Sequence, residues 1–269
     1  MRALLASPLG FLIGLSLGAL GGGGSILAVP ALVYAAGQTP KQATTTSLIL
    51  VAITAVMGIV PHWRNGKVRW AAGTVFGLTG IGGSLLGTHW NKSVNPNALL
   101  LAFAALMVVA AWAMCRRNPL SCPMPSPRAL NMNRSGTTVV ATRVDAATAL
   151  KVAVLGTGVG LLTGFFGVGG GFVIVPALVL ALDFPMPEAV GTSLLVITIN
   201  SLMALATRFQ GGSIEWKTVV PFTVASLAGV VAGGRMAEKR DPSSLQRYFV
   251  MLLIAVAAYT AVRSAIDLW

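Results

Sequence analysis

Residues 18–30 read GALGGGGSILAVP, and residues 164–176 read GFFGVGGGFVIVP. Each stretch places a run of glycines inside an apolar segment and follows it with a Val-Pro pair. A glycine in a helix interior costs up to about 1 kcal/mol and an interior proline about 3 kcal/mol, so neither stretch favours an unbroken helix. We predict a discontinuous helix at each of the two places.

The two stretches belong to a duplication that covers most of the chain. A shift of 146 residues, without a gap, aligns Gly18 with Gly164, Gly24 with Gly170, Pro30 with Pro176, Thr46-Ser47 with Thr192-Ser193, Trp70 with Trp216, Gly87 with Gly233 and Pro96 with Pro242. Shared apolar composition gives scattered Leu and Ala matches rather than one such register. The sequence therefore predicts two homologous repeats, an arrangement typical of transporters whose substrate site lies between the repeats.

The composition places the chain in a lipid bilayer. Of its 269 residues 55% are hydrophobic and 10% charged, whereas about a quarter are charged in soluble proteins. Hydrophobic segments lie at about 8–36, 43–61, 70–90, 98–115, 152–182, 189–207, 217–236 and 245–265. We predict an all-α polytopic membrane protein of about eight segments, in two four-segment repeats that each open with a glycine-broken helix. A large water-soluble catalytic domain is excluded.

Three regions follow from this pattern. Transmembrane repeat 1 covers residues 8–115, a polar cytoplasmic linker rich in Pro, Ser, Asn and Arg covers 116–148, and transmembrane repeat 2 covers 149–269. The formal net charge of +12 is an orientation signal here and gives no reason to expect nucleic acid as a partner. Residues 64–69 hold three basic residues and 116–151 hold six, so we expect both to face the cytoplasm.

Charge leaves the topology open. If all eight segments cross once, both termini are cytoplasmic; if the glycine-broken segments are re-entrant, the repeats are inverted. Either version places 13 of the 19 basic residues inside. The inverted version is favoured because only it makes the cluster Arg235, Lys239, Arg240 and Arg247 cytoplasmic.

The glycine runs are the first candidate site. Unwound backbone at membrane depth is tolerated only where it is buried in protein or lines a cavity, and its free N–H groups attract anions. We predict substrate contacts from Gly21, Gly22, Gly23, Gly24 and Ser25 and from Gly169, Gly170 and Gly171, with Pro30 and Pro176 as structural residues at the breaks. The glycines spaced by four, Gly10, Gly14, Gly18 and Gly22 with Gly156, Gly160 and Gly164, instead indicate close helix packing.

Hydroxyl groups form the second candidate set. Thr46 and Ser47, with their copies Thr192 and Ser193, either cap a helix N-terminus or hydrogen-bond an oxyanion. Asn200, which aligns with Thr54, is a further substrate-binding candidate, and an interhelical hydrogen bond is its alternative role.

No cofactor or metal site is expected. His62 and His89 lie near segment ends, which favours the membrane interface over metal ligation, and Cys115 and Cys122 match no metal motif, so we expect free thiols. Neither a P-loop nor a dinucleotide-binding glycine motif is present. All seven acidic residues lie in the linker, in loops or at segment ends, so intramembrane catalysis and an Asp/Glu proton relay are both disfavoured.

The duplication, the glycine run followed by Val-Pro, and the Thr-Ser pair about sixteen residues later resemble the TauE/SafE family of membrane transporters. The resemblance covers nearly the whole chain outside the linker and implies sulfite or organosulfonates as substrates. It marks Gly21 to Gly24 with Pro30 and Thr46-Ser47, and Gly169 to Gly171 with Pro176 and Thr192-Ser193. Ser25 stands where the second repeat has Gly171, so the two half-sites differ.

These observations predict a secondary transporter, an exporter of sulfite, an organosulfonate or another small anion, in the inner membrane of a cell. The chain is not expected to be an enzyme. Its predicted partners are the anionic substrate and the lipid bilayer, and a homo-oligomer is compatible with the sequence. The alternatives are a transporter of another small solute or a cation, because unwound carbonyls also bind Na⁺, and a non-transporting scaffold that recruits a partner through the linker.

Overall fold

A computed structural model describes residues 2–22, 40–91, 96–117, 146–166, 171–208 and 216–266, with a few positions between 24 and 37. Within these ranges the secondary structure is entirely helical, which confirms the all-α prediction. The helices are α1 Arg2–Leu20, α2 Pro40–Arg64, α3 Trp70–Asn91, α4 Pro96–Arg117, α5 Ala146–Phe166, α6 Gly171–Ala181, α7 Met186–Arg208, α8 Trp216–Glu238 and α9 Pro242–Ile266.

Three of the described helices contain a segment that could cross a membrane. The segments Thr45–Arg64 of α2, Met186–Ala206 of α7 and Val219–Glu238 of α8 are long and apolar enough to cross a bilayer. Large apolar side chains such as Leu78, Leu85 and Leu150 are about two-thirds exposed, as expected for surfaces that contact lipid.

Both glycine-rich stretches interrupt a helix. After Leu20 the chain turns at Gly21, whose φ of 70° lies in the left-handed region that glycine adopts without strain. In the second half α5 ends at Phe166 and α6 begins at Gly171, while residues 167–170 lie outside the described part of the chain.

The sequence suggested that Pro176 lies at a helix break, but the structure places it inside a helix. It is the sixth residue of α6, and it is buried there. So close to a helix start, a proline forfeits only one backbone hydrogen bond, to the carbonyl of Phe172, and the helix continues through it. Pro30 lies outside the described residues.

Regularly spaced glycines bring two pairs of helices into backbone contact. The most extensive contacts in the described structure are those of α1 with α8 and of α3 with α5. A methyl group added at Gly14 or Gly18 would overlap the backbone of α8, and one added at Gly160 or Gly164 would overlap the backbone of α3. The packing role predicted from the four-residue spacing is confirmed at these positions.

The same glycine contacts show that α1, α2 and α8 run in one direction. Gly14 lies against Ser226, and Gly18, four residues later, lies against Val230, so α1 and α8 run parallel. Helix α2 is parallel to α8 as well, because Gly58 contacts Val230 and Pro61 contacts Gly234.

Helices α3, α5 and α7 run in the opposite direction. Gly160 and Gly164 of α5 meet Gly80 and Ser84 of α3, and Gly73 and Gly77 of α3 meet Leu195 and Ile199 of α7 in the same order, so the three are parallel. Helix α7 is antiparallel to α2, since Gly191 lies against His62 whereas Leu194 lies against Gly58. Consequently α1 and α5, the opening helices of the two halves, point in opposite directions.

The helix directions gather three short connections at one end of the bundle. Residues 65–69, 182–185 and 239–241 lie there, and we call it the basic end because it includes the clusters 64–69 and 235–247. Helix α4 finishes at this end too, since Gln246 Nε2 near the start of α9 donates to the Met114 carbonyl 3.1 Å away. The chain therefore leaves α4 and enters α5 at the basic end.

Cys115 and His62 have surroundings that the sequence did not predict. Cys115 is disulfide-bonded, so the prediction of a free thiol is wrong there, because pairing depends on distance in space rather than on a recognised spacing. Cys122 lies outside the described residues. His62 lies in the last turn of α2 at the basic end, and its side chain is covered by other helices: only 4% of it is exposed, and its Nδ1 lies 3.0 Å from the Gly58 carbonyl oxygen.

We predict that Gly14→Ala lowers the free energy of unfolding by about 1–3 kcal/mol, because its methyl group would overlap the Ser226 backbone. Gly158→Ala is the matched control, since a methyl group there meets open space. Thermal unfolding of both variants in detergent measures the difference. Equal melting temperatures would contradict the packing role.

Candidate substrate site at the glycine breaks

The break after α1 lies against the beginning of α6. Gly22 contacts the backbone of Gly171, and the Ser25 side chain contacts the same glycine. Ser25 Oγ also donates to the Gly22 carbonyl over 2.7 Å, which closes the turn. Ser25 and Gly171 are equivalent positions under the 146-residue shift, so the two halves of the chain meet there at matching residues.

This meeting point lies inside the bundle. The Gly21 turn beside Gly171 contacts Val190 and Ser193, four and seven residues after the start of α7, so the meeting point lies roughly 6–10 Å from the basic end. Backbone polar groups at that depth need protein partners or a cavity.

Helix α7 covers the turn from the side. The α-carbon of Gly21 lies against Ser193 Oγ and the Val190 backbone, which leaves no space for a side chain. Ser193 is fully buried, and its hydroxyl donates to the Val190 carbonyl 2.8 Å away. Its oxygen lone pairs therefore face the Gly21 turn.

The Thr-Ser pairs are not helix caps. Helices α2 and α7 begin at Pro40 and Met186, three residues before the predicted segment starts, so both pairs lie in the second turn. All four side chains are buried. Ser193 lies at the Gly21 turn, whereas Thr192 Oγ1 accepts a hydrogen bond from the Arg69 backbone N–H over 3.1 Å.

The corresponding half-site around Thr46 and Ser47 is only partly described. Both residues are buried near the start of α2. Gly167 and Val168, which match Gly21 and Gly22, lie outside the described residues, as do the predicted site residues Gly23, Gly169 and Gly170. The geometry above therefore concerns the first break with α6 and α7.

Asn200 lies elsewhere, on α7 beside Gly80 of α3. Its Oδ1 is buried and has no hydrogen-bond partner among the described residues, so the interhelical hydrogen bond considered for Asn200 does not involve this oxygen. Thr54, its counterpart, donates to the Leu50 carbonyl of its own helix over 2.6 Å. The two aligned polar residues therefore have different surroundings.

The electrostatic setting of the α6 N-terminus favours negative charge. The acidic residues of the described chain are Asp183, Glu188, Glu238 and Asp241, and each lies in a loop or at a helix end of the basic end. The α6 N-terminus contributes N–H groups that have no intrahelical partner and the positive end of the helix dipole at Gly171. No group of His, Cys, Asp or Glu in the described part could hold a metal ion.

An all-helical bundle with membrane-crossing helices, in which the first glycine break meets the start of α6 inside the bundle, is typical of a polytopic membrane transporter. The chain belongs to the TauE/SafE family: the family model described as sulfite exporter TauE/SafE matches residues 6–260. It is a multi-pass protein of the inner membrane.

Similar proteins carry matching descriptions. A probable membrane transporter protein of Xylella fastidiosa strain Temecula1 is 34% identical over 262 residues, which cover 95% of this chain and 93% of that one. The probable membrane transporter protein YunE of Bacillus subtilis is 25% identical over 268 residues, with 93% and 90% covered. No solved structure matches the chain.

We expect Gly22→Ala to abolish solute transport, because its methyl group would overlap the Gly171 backbone and push α6 away from the turn. Gly82→Ala serves as the control, since a methyl group there meets open space. Uptake or efflux in proteoliposomes, with equal amounts of inserted protein, is the measurement. Wild-type flux in Gly22→Ala would show that the contact is not needed for transport.

Proposed function

We propose that the protein is a secondary transporter that exports a small anion, with sulfite or an organosulfonate as the substrate. The single observation that carries the proposal is the contact between the Gly21–Gly22 turn, the α6 N-terminus at Gly171 and the Ser193 side chain. The first turn of α6 offers N–H donors to a ligand, and the Ser25 and Ser193 hydroxyls, which donate to the Gly22 and Val190 carbonyls in the structure, are proposed to turn towards the ligand when it binds. The described acidic residues lie at the basic end of the bundle.

The chemistry of the substrate fits this donor set. Sulfite and sulfonates present a compact group of oxygen acceptors, and hydrogen bonds from N–H groups to such charged oxygens are about twice as strong as those between neutral groups. Gly23, Gly169, Gly170, Thr46 and Ser47 are proposed to complete the site.

The helix directions support an inverted repeat as the framework of the site. We propose that residues 8–115 and 149–269 form the two repeats and that residues 116–148 link them on the cytoplasmic side. Helix α1 packs on α8 just as α5 packs on α3, and α1 and α5 point in opposite directions. Repeats of this kind place a substrate site near the membrane midplane.

The distribution of basic residues supports the orientation. The basic end together with the linker accounts for 13 of the 19 Lys and Arg residues, which favours the cytoplasm for that end. Export of an anion from a negative interior then gains about 2.3 kcal/mol per charge per 100 mV, so the membrane potential can drive it without a coupling ion.

Removing the hydroxyl groups tests the proposed binding role. We expect Ser25→Ala and Ser193→Ala each to weaken apparent substrate affinity about ten-fold to a hundred-fold, the loss typical of a hydrogen bond to a charged group. Ser226→Ala is the matched control: its buried hydroxyl donates to the Gly10 carbonyl between α1 and α8, so stability should fall with affinity unchanged. Unchanged affinity in both site variants would contradict the assigned binding role.

The direction and driving force have their own test. Proteoliposomes loaded with labelled sulfite or a sulfonate should release it faster under an inside-negative potential set with K⁺ and valinomycin, because the potential repels the anion outward. A pH gradient alone should have little effect. Absence of flux for every sulfur oxyanion tested, in correctly inserted protein, would contradict the proposed function, and uphill movement driven only by a pH gradient would contradict potential-driven export.

A further inference from the structure

A small cleft opens at the basic end beside the proposed substrate site. Its wall includes Ala19, His62, Lys67, Val190, Ala237 and Glu238. Ala19 is two residues before the Gly21 turn, and the Val190 backbone contacts Gly21 itself. The inner wall of the cleft is therefore formed by residues adjacent to the turn, and its outer wall by residues next to the short connections of the basic end.

Two polar contacts join the elements around this cleft. Arg69 at the end of the α2–α3 connection pairs with Glu188 at the start of α7, with 2.7 Å between Nε and Oε2. The Arg69 backbone N–H also donates to Thr192, and its guanidinium lies 5.8 Å from the centre of the Phe184 ring. This first contact ties the connection between α2 and α3 to α7.

The second contact ties the same connection to α8. Asn65 Nδ2 donates to the Pro61 carbonyl over 3.0 Å and also to the carboxylate of Glu238, the last residue of α8. Glu238 itself lines the cleft. The α2–α3 connection is thus held from both sides, across the mouth of the cleft.

The duplicated sequence does not repeat these residue types at the equivalent positions. The repeat-related positions of Arg69 and Glu188 hold Glu215 and Gln42, and those of Asn65 and Glu238 hold Gly211 and Lys92. Neither pair of residue types matches the original one, since Glu215 and Gln42 do not carry opposite charges and Gly211 has no side chain, although the glycine packing recurs in both halves. A role confined to one face of the membrane explains why these polar residue types occur in only one of the two equivalent sets of positions.

We propose that the cleft is the entrance through which the anion reaches the glycine turn from the basic end, and that the pairs Arg69–Glu188 and Asn65–Glu238 form a latch that holds it closed. The choice of an anion as its occupant rests on the proposed function, and Lys67 is a basic residue in the wall of the cleft. In the structure the latch is closed, so this entrance opens only when the α2–α3 connection separates from α7 and α8.

Thiol labelling measures the opening directly. A cysteine introduced as Ala237→Cys lies on the cleft wall, and its reaction with a membrane-impermeant thiol reagent, added at the basic end, reports how often the cleft is open. The unsubstituted chain gives the background from its own cysteines. Combined with Ala237→Cys, Glu188→Gln should raise the labelling rate about two- to five-fold, since the Arg69–Glu188 pair is partly exposed and of moderate strength.

Two further variants decide whether the pair itself is responsible. Glu215→Gln makes the same chemical change at the repeat-related position of Arg69 and should leave the labelling rate unchanged. Arg69→Glu should raise the rate more than Glu188→Gln, because two carboxylates would then face each other, and adding Glu188→Arg should restore it. Equal rates in all variants, or no rescue by the exchanged pair, would overturn the latch.

The labelling result does not depend on which solute moves. If sulfur oxyanions are not transported but Glu188→Gln still opens the cleft and the exchanged pair closes it, the latch stands and the substrate assignment fails. If transport of sulfite is measured while labelling is the same in every variant, the proposed function stands and the latch fails.

Discussion

The rest of the structure depends on the cost of exposing backbone polar groups to hydrocarbon. A helix that stops at Leu20, inside the bundle, leaves its last carbonyl groups without intrahelical partners, and each costs several kcal/mol in lipid. The protein surrounds its first break with the α6 N-terminus and with α7, so that Gly22 meets Gly171 and Gly21 meets Ser193. The groups that would be unfavourable in lipid thereby become a polar surface inside the protein.

Glycine serves this enclosure in two distinct ways. Between α1 and α8 and between α3 and α5 it allows backbones to touch, which keeps α1 and α5 fixed up to the residues where their helices end. At Gly21 it supplies a left-handed turn, which lets the chain reverse within one residue of the helix end. The donors have a defined position only if α1 is packed rigidly before the break and glycine supplies the left-handed conformation at the break.

Much of this was predictable from residues 18–30 and 164–176, because runs of glycine are incompatible with a continuous helix and a four-residue glycine spacing has one common use in membranes. Helix directions were not, since charge alone allowed two topologies and the decisive contacts, such as Gly58 with Val230, join residues far apart in the chain. The role of Thr192 was missed for a similar reason, because nothing near it in sequence indicates that Arg69 donates to it. The burial of His62 was not predictable either, because proximity to a segment end does not reveal which side of a helix is covered by other helices.

The pairing of Ser25 with Gly171 has a consequence for how a ligand lies in the protein. Two identical halves meeting at equivalent residues would offer a bound molecule two poses of equal energy, related by a half-turn. Here one side carries a hydroxyl where the other carries only hydrogen, and that hydroxyl is held by the Gly22 carbonyl. The two poses therefore differ in energy. A molecule with a charged group at only one end is then expected to bind preferentially in one of the two orientations.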